Sequence, residues 1–162
     1  MDRDADVSLT TRREPFRPRV PGGVLAVIAL GGLLGGTARY ALGLAFPTSA
    51  GTFPLTTFVV NVTGAFLLAL LLVYVMESLP RSWYVRPFAA VGFLGSYTTF
   101  STWMVDTDRL LCDGHYTLAA LNVLGSLLAG LAATVLGLAV GRKAMTWTSG
   151  RARTGSWFRR AR

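Results

Sequence analysis

The sequence predicts an all-α integral membrane fold of four transmembrane helices, the third broken near its middle. Three observations carry that prediction. Residues 24–46, 55–76, 87–105 and 118–140 form four runs with almost no charge, each long enough to cross a hydrocarbon core of about 30 Å. Of the 162 residues, 52% are hydrophobic and only 15% charged, and mean hydropathy is +0.47; a soluble domain carries roughly a quarter of charged residues. The third run crowds Gly92, Gly95, Ser96, Thr98 and Thr99 into its centre, residues that weaken a helix through backbone entropy or competing side-chain hydrogen bonds. Period-two alternation is absent, which disfavours a barrel and leaves the helix as the way to satisfy backbone groups in lipid.

Residues 1–21 read as a basic N-terminal tail in which Pro15, Pro18 and Pro21 forbid a continuous helix. Residues 22–140 are the four-helix domain. Residues 141–162 are a basic C-terminal tail with Trp147, Trp157 and Phe158 available to the membrane interface. Both tails read as disordered or surface-bound. Cations beside a membrane more often set orientation or meet anionic lipid than bind nucleic acid, so lipid is the expected partner and nucleic acid is not. The first run is too long for the core of a signal peptide. One cysteine, Cys112, and one histidine, His115, supply neither a disulfide framework nor a zinc cluster. No nucleophile–base pair stands at a useful spacing in the membrane, so neither an enzyme nor an organic cofactor is expected.

Charge predicts orientation. Five of the 16 cations fall in residues 1–21, two (Arg81 and Arg86) in the loop after the second run, and seven in residues 141–162. With four crossings these fourteen share one side, and only Arg109 lies on the other. The excess of Lys and Arg on the cytoplasmic side of membrane proteins puts both termini in the cytoplasm of a cell-membrane protein.

The first span holds GGLLGGTARY, with Gly31/Gly35 and Gly32/Gly36 at i, i+4, a face smooth enough for close helix contact. Arg39 follows. A guanidinium in a span faces protein or water, or else snorkels to the interface, and the sequence leaves a vestibule role and an anchoring role equally open. In the second span Asn61, with Thr57 one turn before and Gly64 one turn after, is either interhelical glue or part of a polar path. In the third, a break around residues 95–98 would free backbone at bilayer depth, tolerated only in a cavity or inside protein. Phe100 and Trp103, one turn apart, share a face beside Ser101 and Thr102. No Asp, Glu or Lys lies well inside a span; Glu77 and Asp106 sit at ends. Hydroxyls, one amide, ring edges and one arginine all offer donors or positive potential, a set that leans towards a path for a small anion.

These residues, in this order, resemble the Fluc (CrcB) family of small fluoride channels. The resemblance rests on GGLLGGTARY, TFVVNVTGAF, GFLGSYTTFSTW and NVLGSLLAGLAA and runs from about residue 31 to 137. It implies passive export of fluoride through pores along the interface of an antiparallel dimer, which reduces fluoride toxicity. It further implies that Asn61 orders the pore aromatics and meets fluoride, that Phe100 presents ring edges to the ion, and that Ser101 and Thr102 belong to a hydroxyl track. Backbone carbonyls of Gly95 and Thr98 would hold a structural sodium ion, and Asp106 would lie near the pore mouth. Arg39 matches a first-span arginine. Three positions depart from the pattern: Trp103 stands where a second pore phenylalanine is usual, Ser96 where a glycine is, and Asn122 where a tyrosine or another polar residue is expected. An antiparallel dimer needs both orientations while the charge bias predicts one, so an oppositely oriented paralogue is the expected partner ahead of a second copy. Two rivals remain. A small multidrug-type exporter needs a glutamate near the middle of the first span, which has only Arg39. A non-transporting membrane subunit explains glycine faces and basic tails, but not hydroxyls and Asn61 gathered at a break.

Overall fold

The computed structural model describes residues 21–78 and 84–155, so the expectations for residues 1–20 and for Arg81, Trp157 and Phe158 lie outside the described part. Within it the fold is helical. Helix α1 spans Gly22–Ala45 and α2 spans Leu55–Ser78. The next element, α3, is π-helical over Pro87–Leu94 and closes with an α-turn over Gly95–Tyr97; α4 spans Phe100–Cys112 and α5 spans Tyr116–Gly155. Three helical stretches are long and apolar enough to cross a membrane: Gly22–Ala45, Leu55–Val75 and Tyr116–Thr146. The third expected span is not among them, because α3 and α4 are separate shorter helices.

Backbone meets backbone where glycines permit it. A Cβ on Gly31 would collide with the Phe88 carbonyl, and one on Gly35 with the Phe93 carbonyl. From the other side, a Cβ on Gly92 would lie 2.5 Å from the Ile28 carbonyl. Helix α1 therefore sits directly against α3, and the glycine spacing is the reason. Gly36, by contrast, has nothing within 4 Å of its Cβ position, so only one of the two i, i+4 pairs makes that contact. Helices α2 and α5 pair in the same manner through Gly137, whose Cβ position lies 2.5 Å from the Phe66 carbonyl, and through Gly141 against Val73.

The helices end where local chemistry stops them. At the C-terminus of α4 the His115 N–H donates to the Leu110 carbonyl (2.8 Å) and the Gly114 N–H to Leu111 (3.1 Å), with Gly114 at φ 77°. This is the glycine-terminated double bond that satisfies the last carbonyls of a helix. Gly51, at φ 69° in the loop between α1 and α2, leaves room for His115, whose Nε2 lies 2.7 Å from the Gly51 Cβ position. The two loops therefore meet at one end of the bundle, and the histidine packs there.

The break falls at the far end of the expected 95–98 stretch: Gly95 is helical (φ −64°, ψ −29°), while Thr98 (φ −75°, ψ 156°) and Thr99 (φ −147°, ψ 125°) are extended. Two β-branched residues in a row accept extended backbone more readily than the glycine upstream, whose turn is held by α1. Helix α5 also does not stop at residue 140 but continues to Gly155, because Gly141 still packs on Val73 and neither proline nor a capping glycine motif ends it.

Candidate functional site

The break is built by substituting side chains for helical partners. An unbroken helix would send the Thr99 N–H back to the Gly95 carbonyl. Here it donates to Asn61 Oδ1 (2.8 Å), while Asn61 Nδ2 donates to the Thr99 carbonyl (2.9 Å). One amide thus holds both polar groups of one peptide residue. Across the gap, Arg39 Nε donates to the Ser96 carbonyl (3.1 Å), which would otherwise have served Phe100. The Arg39 Nε is therefore turned onto the break.

Helix α4 restarts with Thr99 as its N-cap. The Thr102 N–H donates to Thr99 Oγ1 (3.1 Å), and Thr99 Oγ1 donates in turn to Thr102 Oγ1 (3.0 Å). Because Thr102 N–H is taken by this hydroxyl, the Thr98 carbonyl loses its helical donor as the Gly95 carbonyl does. On the α3 side, Thr98 Oγ1 and Thr98 N–H both donate to the Leu94 carbonyl (2.9 and 3.1 Å). Thr98 is seated against Gly64, where a Cβ would strike its methyl group. Replacing Thr99 by valine keeps the shape and removes the cap, and is expected to lower unfolding stability by about 1 kcal/mol, with serine retaining most of it; thermal unfolding in detergent measures both.

Two open grooves flank the break, and Thr99 lines both. One, of about 350 Å³, is lined by Arg39, Tyr40, Gly43, Leu44, Thr56, Thr57, Val60, Thr99 and Thr102. The other, of about 360 Å³, brings together Asn61, Gly95, Thr98, Phe100 and Trp103. Among the described residues that line them, neither groove has a carboxylate. Five of the residues singled out from the sequence therefore share one groove, and Arg39 and Thr102 share the other. Ser101 is exposed beside the cap, 3.3 Å from Thr99 Oγ1, and lines neither. Asp106 lies further along α4, where its Oδ2 accepts from Thr57 Oγ1 (2.7 Å), and it lines a cavity at the loop end of the bundle with Arg109 and Asp113. Phe100 is 69% exposed; its ring meets that of Trp103 edge-on at 5.6 Å and 72°.

One participant, Tyr97, escapes the sequence reading, and two residues named there, Gly64 and Asn122, take partners it does not show. Tyr97 stacks on Phe93 (5.9 Å, 10°), and its hydroxyl lies 3.2 Å from that of Thr63; the i, i+4 spacing of Phe93 and Tyr97 was the available signal. Gly64 gives room for Thr98, and only a known neighbour could have shown that. Asn122, noted from sequence as an unusual residue, is completely buried between α4 and α5.

Comparison with known proteins gives consistent matches. A family model described as "CrcB-like protein, Camphor Resistance (CrcB)" matches residues 26–138. The chain is 69% identical over 149 residues to "Fluoride-specific ion channel FluC 3" of Streptomyces avermitilis, covering 88% of this chain and 73% of that one. It is 41% identical over 135 residues to "Fluoride-specific ion channel FluC 1" of Streptomyces coelicolor, covering 83% and 86%. "Fluoride-specific ion channel FluC 2" of Streptomyces avermitilis is 47% identical over 104 residues, 64% of this chain and 65% of its own length.

Proposed function

Since the chain belongs to the CrcB-like family, its model covering residues 26–138, we propose that it is a fluoride-selective channel subunit that lets fluoride leave the cytoplasm passively. The observation that carries this reading is the pair of grooves at the break. They offer amide, hydroxyl, ring-edge and guanidinium groups and no carboxylate among their described lining residues. A small, strongly hydrated anion leaving water needs hydrogen-bond donors and positive ring edges in its place. An organic-cation exporter would need a buried carboxylate there. Because the similar proteins are named as ion channels, no catalytic role is assigned.

In this reading α3 and α4 together make the remaining crossing, and both termini are cytoplasmic, as the charge distribution favours. Phe100 lies open at the groove mouth with only Trp103 against it among the described rings. A bulky ring left open beside freed backbone fits a second subunit completing the wall, so the pores lie along a dimer interface. The partner is antiparallel, and an oppositely oriented paralogue fits the fourteen-to-one charge bias better than a second copy. That Streptomyces avermitilis has two such channels at 69% and 47% identity to this chain supports a paired arrangement. The Gly95 and Thr98 carbonyls, released from their helical donors, are hard oxygen ligands that fit a structural sodium ion. Such an ion would supply fixed positive charge beside the groove.

Reconstitution tests the reading. Liposomes holding this chain with an oppositely oriented sister chain are expected to release fluoride and retain chloride, while this chain alone is expected to release neither. Equal release of the two halides would remove the selectivity claim, and release by the chain alone would remove the heterodimer. Phe100→Ile, which keeps an apolar side chain and deletes the ring edge, is expected to slow fluoride release by about tenfold or more.

A further inference from the structure

Asn122 has no exposed surface, and a buried amide in a helical bundle needs partners. It finds them on α4. Its Nδ2 donates to Thr107 Oγ1 (2.9 Å) and, at 3.4 Å, to the Trp103 carbonyl. Trp103 returns the contact: its indole Nε1 donates to the Asn122 backbone carbonyl (3.0 Å). Thr107 Oγ1 closes the ring by donating to the Trp103 carbonyl (2.8 Å), and Ser126 Oγ donates to Asn122 Oδ1 from one turn along α5 (3.4 Å). The turn of α4 that carries Trp103 is therefore fastened to one position of α5 in both directions.

An indole differs from a phenyl ring in size and in carrying a donor that must be satisfied away from water. With that donor held in the seam between α4 and α5, the carbon edge of the ring is left for the groove, where Trp103 lies beside Asn61 and Phe100. The same ring meets Phe100 edge-on. Trp103 and Asn122, two of the positions at which this chain departs from the pattern it resembles, are thus a coupled pair.

We propose that Asn122 is a positioning residue for fluoride passage, acting through Trp103 to fix the angle at which the Phe100 ring presents its edge. This deepens the channel reading and rests on Phe100 and Trp103 lining the path. Fluoride release from the reconstituted two-chain assembly is compared for Asn122→Leu, which keeps the volume and removes the side-chain hydrogen bonds, for Trp103→Phe, and for both. Asn122→Leu is expected to slow release about tenfold beside Trp103, because without its side-chain bonds to Thr107 and to the Trp103 carbonyl the seam shifts and the indole Nε1 loses its line to the Asn122 backbone carbonyl. In the Trp103→Phe background, with no indole to displace, the loss is expected to be clearly smaller. Equal losses in the two backgrounds, or no loss in either, overturn the proposal. So does a failure to fold common to both, which would make Asn122 a brace of the bundle alone. If the single variant misfolds while the double variant folds, the coupling is upheld.

A second measurement needs no transport. In a chain with Trp83, Trp147 and Trp157 replaced by phenylalanine, Trp103 emission is expected to shift on Asn122→Leu, and an unchanged spectrum counts against the pair. Should the unsubstituted assembly pass no fluoride, the channel reading falls, while the emission result still decides whether Asn122 orients the indole.

Discussion

Fluoride release from the two-chain assembly is expected to fall about a hundredfold or more when Asn61 is replaced by alanine. The size of the effect follows from what the amide holds. Both the N–H and the carbonyl of Thr99 are bonded to this one part-buried side chain. Each buried polar group left without a partner costs about 1–3 kcal/mol. The cheapest escape is to return the Thr99 N–H to the Gly95 carbonyl and close the helix. That would withdraw the freed carbonyls and turn Phe100, the next residue, out of the groove. The effect is therefore on the path and not only on stability. A helix content unchanged by circular dichroism together with lost flux is the expected pair of results; undiminished flux would show that the break does not need this amide.

The largest effect on folding is expected at Gly35. Alanine there places a Cβ onto the Phe93 carbonyl, so α1 must back away from α3 along its whole contact. Overpacking against yielding side chains costs about 1–3 kcal/mol, and backbone yields less. Gly36→Ala is the matched control one residue on: nothing lies within 4 Å of its Cβ position, and alanine favours a helix over glycine by up to about 1 kcal/mol. Thermal unfolding of the two single variants is expected to move in opposite directions, Gly35→Ala downwards by the larger amount. Similar shifts for both would mean that α1 and α3 are not in backbone contact.

These two residues also show how far the sequence could be read. The glycine spacing announced a close helix face, yet Gly31/Gly35 and Gly32/Gly36 are equivalent as patterns. Only the position of α3 distinguishes them, and that is a tertiary fact. The apolar runs gave three long helices directly. The third run was legible as a disturbance, from its crowding of Gly, Ser and Thr, and its break stands at Thr98–Thr99, the far end of the 95–98 stretch, because α1 holds the glycine turn. Asn61 was identified from residue type and place, whereas its bidentate grip on Thr99 depends on a partner 38 positions away. The Ser96 carbonyl that Arg39 meets is 57 positions distant and has no signature in the sequence around Arg39. Helix α5 runs on past the apolar run to Gly155, because charge marks where lipid stops, not where a helix does.

A joint braced from one helix by a cation and from another by an amide cannot serve as a hinge. Swinging either half would strip bonds from Ser96 or Thr99, so the two halves are held to travel together. In the proposed channel, a path with no door at this point selects its traveller by the fit of the walls alone.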